Sequence, residues 1–173
     1  GWFYAQSDSD DRGAIFELYV NDSNMMRVMI NTGDVLELRL VSGGSQTFNI
    51  TTTSWSYNTW HHFAVVNNGG TINFYLDGTS VGSNSSFTIP NFSSAQVLVG
   101  LDLYATDRWY TGYIDDLRVT NNKAIYTANF TPPSAALSLD TLVAGKGGLV
   151  WIKNRDATDD HVLADTARGE DTR

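Results

Sequence analysis

The sequence predicts an all-β domain, a sandwich or barrel of short antiparallel strands. Three observations predict it. Apolar and polar residues alternate with a period of two along most of the chain, and the 3.6-residue period of an amphipathic helix is nearly absent before the C-terminal tail. Turn-forming clusters punctuate the alternation at Asn21-Asp22, Asn31 to Gly33, Gly43-Gly44, Asn68 to Gly70, Asp77-Gly78 and Asn91. The content of 42% hydrophobic and 12% aromatic residues, with only 3 prolines, suits a buried core rather than a disordered chain. A chain of 173 residues holds one sandwich of normal size plus an appendage, not two complete sandwiches.

The strands are predicted in order from these signals. Trp2 to Gln6, Ala14 to Val20 and Met25 to Ile30 are short apolar or aromatic runs bounded by turn residues. In Val35 to Ser42, Leu36, Leu38 and Leu40 face one way and Glu37 and Arg39 the other, the pattern of one buried and one wet face. Gln46 to Ile50 follows, then Trp60 to Asn67. In Thr71 to Asp77, Ile72, Phe74 and Leu76 point inward while Asn73, Tyr75 and Asp77 point outward. The Asp77-Gly78 turn leads into Ser80 to Ser83, and Ala95 to Leu101 and Gly112 to Thr120 complete the set. Small residues from Ser134 to Gly148 read as a linker, and residues 149–173 as an appendage with a short strand at Leu149 to Lys153. That strand either folds back onto the sandwich or opens a further module.

Charge and composition exclude several partners. A net charge of −8 repels phosphate backbones and anionic membrane surfaces, so nucleic acid is not an expected partner. No apolar run reaches the roughly 20 residues of a membrane helix, so no membrane insertion is expected. The start, GWFYAQ, lacks a basic n-region and reads as the inside of a domain. With no cysteine there are neither disulfides nor thiolate metal sites, which disfavours a disulfide-stapled secreted animal domain. The Asn-x-Ser/Thr triplets at Asn21, Asn49, Asn84, Asn91 and Asn129 are then chance products of an Asn/Ser/Thr-rich sequence.

Two stretches carry a family resemblance: NTWHHFAVVNNGGTINFYLDGTSVG, Asn58 to Gly82, and TGYIDDLRVTNNKAIYTANFTPP, Thr111 to Pro133. They resemble the C-terminal half of a laminin-G-like domain of the concanavalin A-like lectin/glucanase superfamily, in the versions found in marine bacteriophage and bacterial surface proteins. The resemblance implies a jelly-roll sandwich of two antiparallel sheets over residues 1–133. It also implies a missing first strand: related domains begin with an FDG…YL strand that pairs near Tyr113 to Val119, which leaves a sheet edge unfilled here, an association hazard. The segment after Gly148 is similar to the opening of another module of marine phage tail proteins.

Catalysis finds no support. Glycosidases on this fold place two carboxylates across a cleft, as in an E-x-D-x-E strand, and no such strand is present. Asp8, Asp10 and Asp11 fall in a loop, and the adjacent side chains of Asp115 and Asp116 are expected on opposite faces of a strand. Asp115 shares the apolar side of Leu117 and Val119, so it requires backbone N–H donors or a bulge that turns it outward. No serine or threonine shows a recognisable histidine-and-acid arrangement, and His61 and His62, facing opposite ways, read as core or sheet-surface residues.

Binding residues are more legible. The segment Asp8 to Gly13 opens like a calcium loop, then departs from it, with Arg12 at the fifth position and Tyr19 where a bidentate Glu belongs. The resemblance implies calcium as a candidate cofactor at Asp8, Asp10 and Asp102, with Asp107 as a further ligand. The loop from Asp102 to Tyr110 joins two strands and carries the ligand-binding candidates Tyr104, Asp107, Arg108, Trp109 and Tyr110. Aromatic faces pack on the C–H face of a sugar while planar polar groups bond its hydroxyls, and Trp55 and Tyr57 offer a second platform. Alternatively Trp109 or Tyr110 covers the open end of the core. The expected function is a non-catalytic carbohydrate-recognition module of a phage tail or surface protein, on a virion or an extracellular surface, with a cell-surface glycan as partner. The alternative is a structural or assembly module that contacts other virion or surface-protein chains.

Overall fold

The computed structural model describes residues 1–6, 13–103, 108–120 and 123–135, and the backbone of 148–152 and 162–165. Its strands, in chain order, are β1 (Trp2–Ala5), β2 (Ala14–Asn21), β3 (Asn24–Asn31), β4 (Val35–Ser42), β5 (Ser45–Thr52), β6 (Trp60–Asn68), β7 (Thr71–Leu76), β8 (Thr79–Asn84), β9 (Gln96–Val99), β10 (Leu101–Asp102), β11 (Arg108–Trp109), β12 (Gly112–Asp115), β13 (Leu117–Thr120), β14 (Gly148–Ile152) and β15 (Val162–Asp165). No helix occurs among the described residues.

Two five-stranded antiparallel sheets form the sandwich, one ordered β12-β1-β6-β7-β8 and the other β5-β4-β3-β2-β9. The alternating apolar residues meet between them. Phe3, Phe63, Ile72 and Phe74 of the first sheet pack with Phe16, Val28, Leu38 and Leu40 of the second in one cluster. β4 has the expected bounds because its three leucines and the turns on either side fix both register and length.

Two expected strands are each broken in two, at a residue with positive φ. Gly100, at φ 73°, ends β9 and turns the chain into the β10–β11 hairpin. Asp116, at φ 47°, separates β12 from β13 and shifts the alternation by one residue. Ile114 packs against the core, Asp115 stands opposite Trp2 on the outer face, and Leu117 and Val119 return to the core. The expectation that Asp115 shares the side of Leu117 and Val119 is thereby corrected. Its Oδ1 accepts the Asp116 N–H at 2.8 Å, the kind of backbone donor its burial demands.

The wet faces also need correction. Glu37 on β4 is buried, held by Arg39 Nε at 2.8 Å and by the Asn31 side-chain amide at 3.2 Å. Tyr75 on β7 is buried under Phe130, whose ring centroid lies 5.5 Å away. Period-two alternation places a side chain on a face but does not say whether another segment covers that face.

A cleft of about 710 Å³ lies between β6 and β13, reaching the inner side chains Phe16, Leu18, Met26 and Leu40. Among the described residues, β6 beyond Phe63 is paired only with β7. The C-terminal strand expected at Leu149 to Lys153 is found as β14, which pairs with β13 from Leu117↔Trp151 to Thr120↔Gly148 and carries β15 on its far side.

Candidate functional site

The β10–β11 hairpin places the sequence-derived ligand candidates as follows. Arg108 and Trp109 form β11, opposite Asp102 and Leu101. Trp109 is 69% exposed, whereas Tyr110 packs against the core, so covering the core falls to Tyr110 and not to Trp109. Tyr104 and Asp107 lie outside the described residues, as do Asp8 and Asp10.

Asp102 is not an open loop ligand. It is fully buried, and its Oδ1 meets Arg27 Nη1 at 2.8 Å, with Arg27 itself only 3% exposed. A carboxylate committed to an enclosed guanidinium does not fit a calcium site, and no group of three or more acidic, histidine or cysteine side chains suited to a metal occurs among the described residues. The pair belongs to a charged row across the outer face of the second sheet, where Glu17, Arg27 and Arg39 stand opposite one another on β2, β3 and β4. Sequence reasoning missed this row. Its one signal was Glu17, an isolated acid inside the apolar run AIFELYV.

Glu17 is fully buried, and its Oε2 accepts the Leu103 N–H at 3.2 Å. Burial pushes its carboxyl up to about 7, and the neighbouring Asp102 adds to this, while the Leu103 bond and the Arg27 charge oppose it. A carboxyl whose folded pKa is raised contributes stability at low pH that is lost as the pH rises from about 4.5 through about 7. Glu17→Gln, which keeps the acceptor and removes the charge, is therefore expected to stabilise the fold at pH 8 by on the order of 3 kcal/mol and to change little at pH 4. Melting curves at the two pH values check this, and equal shifts at both would refute it.

The histidines are anchored, not poised for chemistry. His61 Nδ1 lies 2.7 Å from Asp77 Oδ2, and its Nε2 lies 3.1 Å from the Ser56 carbonyl oxygen and 3.2 Å from the Ser56 backbone nitrogen. Ser56 Oγ lies 3.5 Å from the same Nε2. A Ser–His–Asp line thus exists that the spacing along the chain concealed. However, both backbone groups of Ser56 lie closer to Nε2 than its hydroxyl does, which is not how a general base addresses a nucleophile. The arrangement ties the loop before β6 to the turn after β7. Trp55 and Tyr57, in that same loop, direct their polar ends to Asp34: Trp55 Nε1 donates to its carbonyl at 2.8 Å and the Tyr57 hydroxyl to its Oδ1 at 2.7 Å.

The outer face of the first sheet carries two aromatic rows. In one, Trp2 lies between Asp115 and His62, and the chain covers His62 with its own Tyr126 and Phe130, stacked at 3.6 Å, with Phe130 5.5 Å from the His62 ring. Burial, assisted by the Arg118 charge, holds the His62 imidazole down to about 3. In the other row, Tyr4 stands directly between Tyr113 and Trp60, with ring centroids 5.7 and 5.6 Å apart and planes inclined at 57° and 58°. Tyr113 is 54% exposed, and Tyr4 and Trp60 are partly exposed.

A laminin-G-type family model described as the concanavalin A-like lectin/glucanases superfamily matches residues 1–125. No curated protein matches the chain. Among solved structures, the chain is similar to a fragment, residues 221–444, of an S-layer domain-containing protein from Clostridium thermocellum, at 19% identity and a TM-score of 0.29, covering 75% of this chain and 63% of that one. The match therefore spans less than two thirds of that fragment's length.

Proposed function

We propose, on the premise that the chain belongs to the concanavalin A-like lectin/glucanase superfamily, that it is a non-catalytic carbohydrate-recognition module of a phage tail or other surface protein. It acts outside the cell, on a virion or cell surface, with a cell-surface glycan as its partner. The observation that carries this reading is Trp109, a large aromatic left 69% exposed on a two-stranded hairpin braced by a rigid sandwich. The acidic side chains support the non-catalytic part: Asp115, Asp116, Asp102 and Glu17 are all buried, and none of them faces a partner across an open cleft as glycoside hydrolysis requires.

The test is thermal melting of the intact chain against a panel of bacterial and algal polysaccharides, with calcium and with chelator. A specific ligand raises the melting temperature by mass action. At least one polysaccharide is expected to do so, with Trp109→Ala reducing the shift, and a flat panel counts against the reading. A second reading, a structural or assembly module of a fibre or virion, is favoured by the cleft between β6 and β13, because an open strand edge suits a strand from another chain. Concentration-dependent association in sedimentation experiments supports that reading, and a strictly monomeric chain opposes it.

A further inference from the structure

We infer that the row Tyr113–Tyr4–Trp60 is a stacking platform for a neutral polysaccharide chain, lying on the outer face of the first sheet and distinct from the hairpin. The inference rests on the recognition reading above and gives it a second surface and a ligand class.

Register alone brings these rings together. β1 runs between β12 and β6, and Tyr4 is the residue opposite both Tyr113 and Trp60, so three consecutive strands present one aromatic each at the same level. Cross-strand aromatic pairs of this kind stabilise a sheet, and that is their minimum role. The adjacent row shows how the fold covers an aromatic row: Trp2 packs edge-on against His62, and His62 is buried beneath Tyr126 and Phe130 of the chain itself. The Tyr113 row is left partly exposed on the same face, next to that cover.

Charge selects the occupant. The outward neighbours of Tyr4 and Tyr113 along their strands, on the side away from the cover, are Gln6 and Thr111, both exposed, uncharged and able to bond hydroxyl groups. The chain as a whole carries −8, which disfavours sulfated or uronic-acid polymers. Rings spaced at 5.6 and 5.7 Å and inclined at 58° and 57° form a ridged apolar strip, which suits an extended polymer rather than a pocket for a single sugar.

The experiment is calorimetric titration of the intact chain with two neutral polysaccharides, hydroxyethyl cellulose and mannan, and one anionic polysaccharide, alginate. Wild type, Tyr113→Ala, Trp60→Phe and Trp109→Ala are compared, and melting curves confirm that each variant folds. Tyr113 is exposed enough for its truncation to leave the core intact, and Trp60→Phe keeps an aromatic ring if truncation at that strand proves disruptive. Binding of a neutral polymer and not of alginate is expected, weakened about tenfold in Tyr113→Ala, the loss typical of an aromatic anchor. If a neutral polymer binds and only Trp109→Ala weakens it, the row is overturned while the recognition reading stands. A preference for alginate also overturns the inference. Should neither neutral polymer nor alginate bind the wild-type chain, the platform is refuted, and the wider polysaccharide panel decides separately whether the module recognises any glycan.

Discussion

Arg27→Ala is expected to destabilise the fold by about 3–5 kcal/mol, the usual result of removing one partner of a buried ion pair. Asp102 is fully enclosed, and the substitution leaves its carboxylate without the guanidinium 2.8 Å away. The same guanidinium holds the Glu17 carboxyl down against burial, so its loss pushes that group still higher. Two consequences separate this account from a simple packing defect. The variant should regain part of its stability on acidification, as the stranded carboxylates take up protons. The double variant Arg27→Met/Asp102→Leu, which replaces the pair by apolar groups, should be more stable than Arg27→Ala alone. Urea unfolding at pH 7 and pH 4.5 measures both effects, and a loss below about 1 kcal/mol for Arg27→Ala would show that the pair contributes little.

Gly78→Ala is expected to be similarly damaging, through a different cause. Gly78 adopts φ 76°, and an added Cβ would fall 1.8 Å from the Phe130 carbonyl oxygen. The left-handed conformation alone costs an alanine about 1–2 kcal/mol. The collision is with backbone, so it cannot be relieved by rotating a side chain, and the segment carrying Tyr126, Phe130 and Pro132 has to lift. That uncovers Tyr75 and His62, for a total loss of about 3 kcal/mol or more. The sign of the pH effect gives an independent readout. With a folded pKa of about 3 against an ordinary 6.5, His62 contributes stability above pH 6.5 that is lost as the pH falls through that interval. In Gly78→Ala the imidazole should titrate nearer its ordinary value, which proton NMR of the ring can follow. Unchanged melting together with an unchanged His62 titration would remove the proposed role of this contact.

The strands were legible in the sequence wherever one face is continuously apolar. β4 is fixed by three alternating leucines between two turns, and β7 by Ile72, Phe74 and Leu76. What alternation could not reveal was the covering of the other face. Glu37 read as a solvated charge, yet Arg39 and Asn31 hold it in a buried place, and the enclosure of Arg27 and Glu17 becomes visible only where the chain turns at Gly100 and brings Asp102 and Leu103 down on them. The site divides in the same way. Trp109 was identifiable as an aromatic in a polar loop, yet only the strand pairing of β11 shows that it points outward while Tyr110 packs inward. The Tyr113–Tyr4–Trp60 row was not legible, because its members lie far apart in the chain and meet only through the register of β1 with β12 and β6.

The enclosed charges of the second sheet also determine how the domain responds to its medium. Dissolved ions screen exposed charges over about 10 Å at 0.1 M salt and about 3 Å at 1 M, but they reach buried pairs far less. Arg27–Asp102 is enclosed on both sides and Glu37–Arg39 largely so, and neither pair is weakened by brine as a surface pair would be. The remaining acidic excess behind the net charge of −8 repels itself, and that repulsion is what salt quenches. Increasing ionic strength is therefore expected to weaken this repulsion while sparing the two enclosed pairs, and a melting temperature that rises with salt would show it.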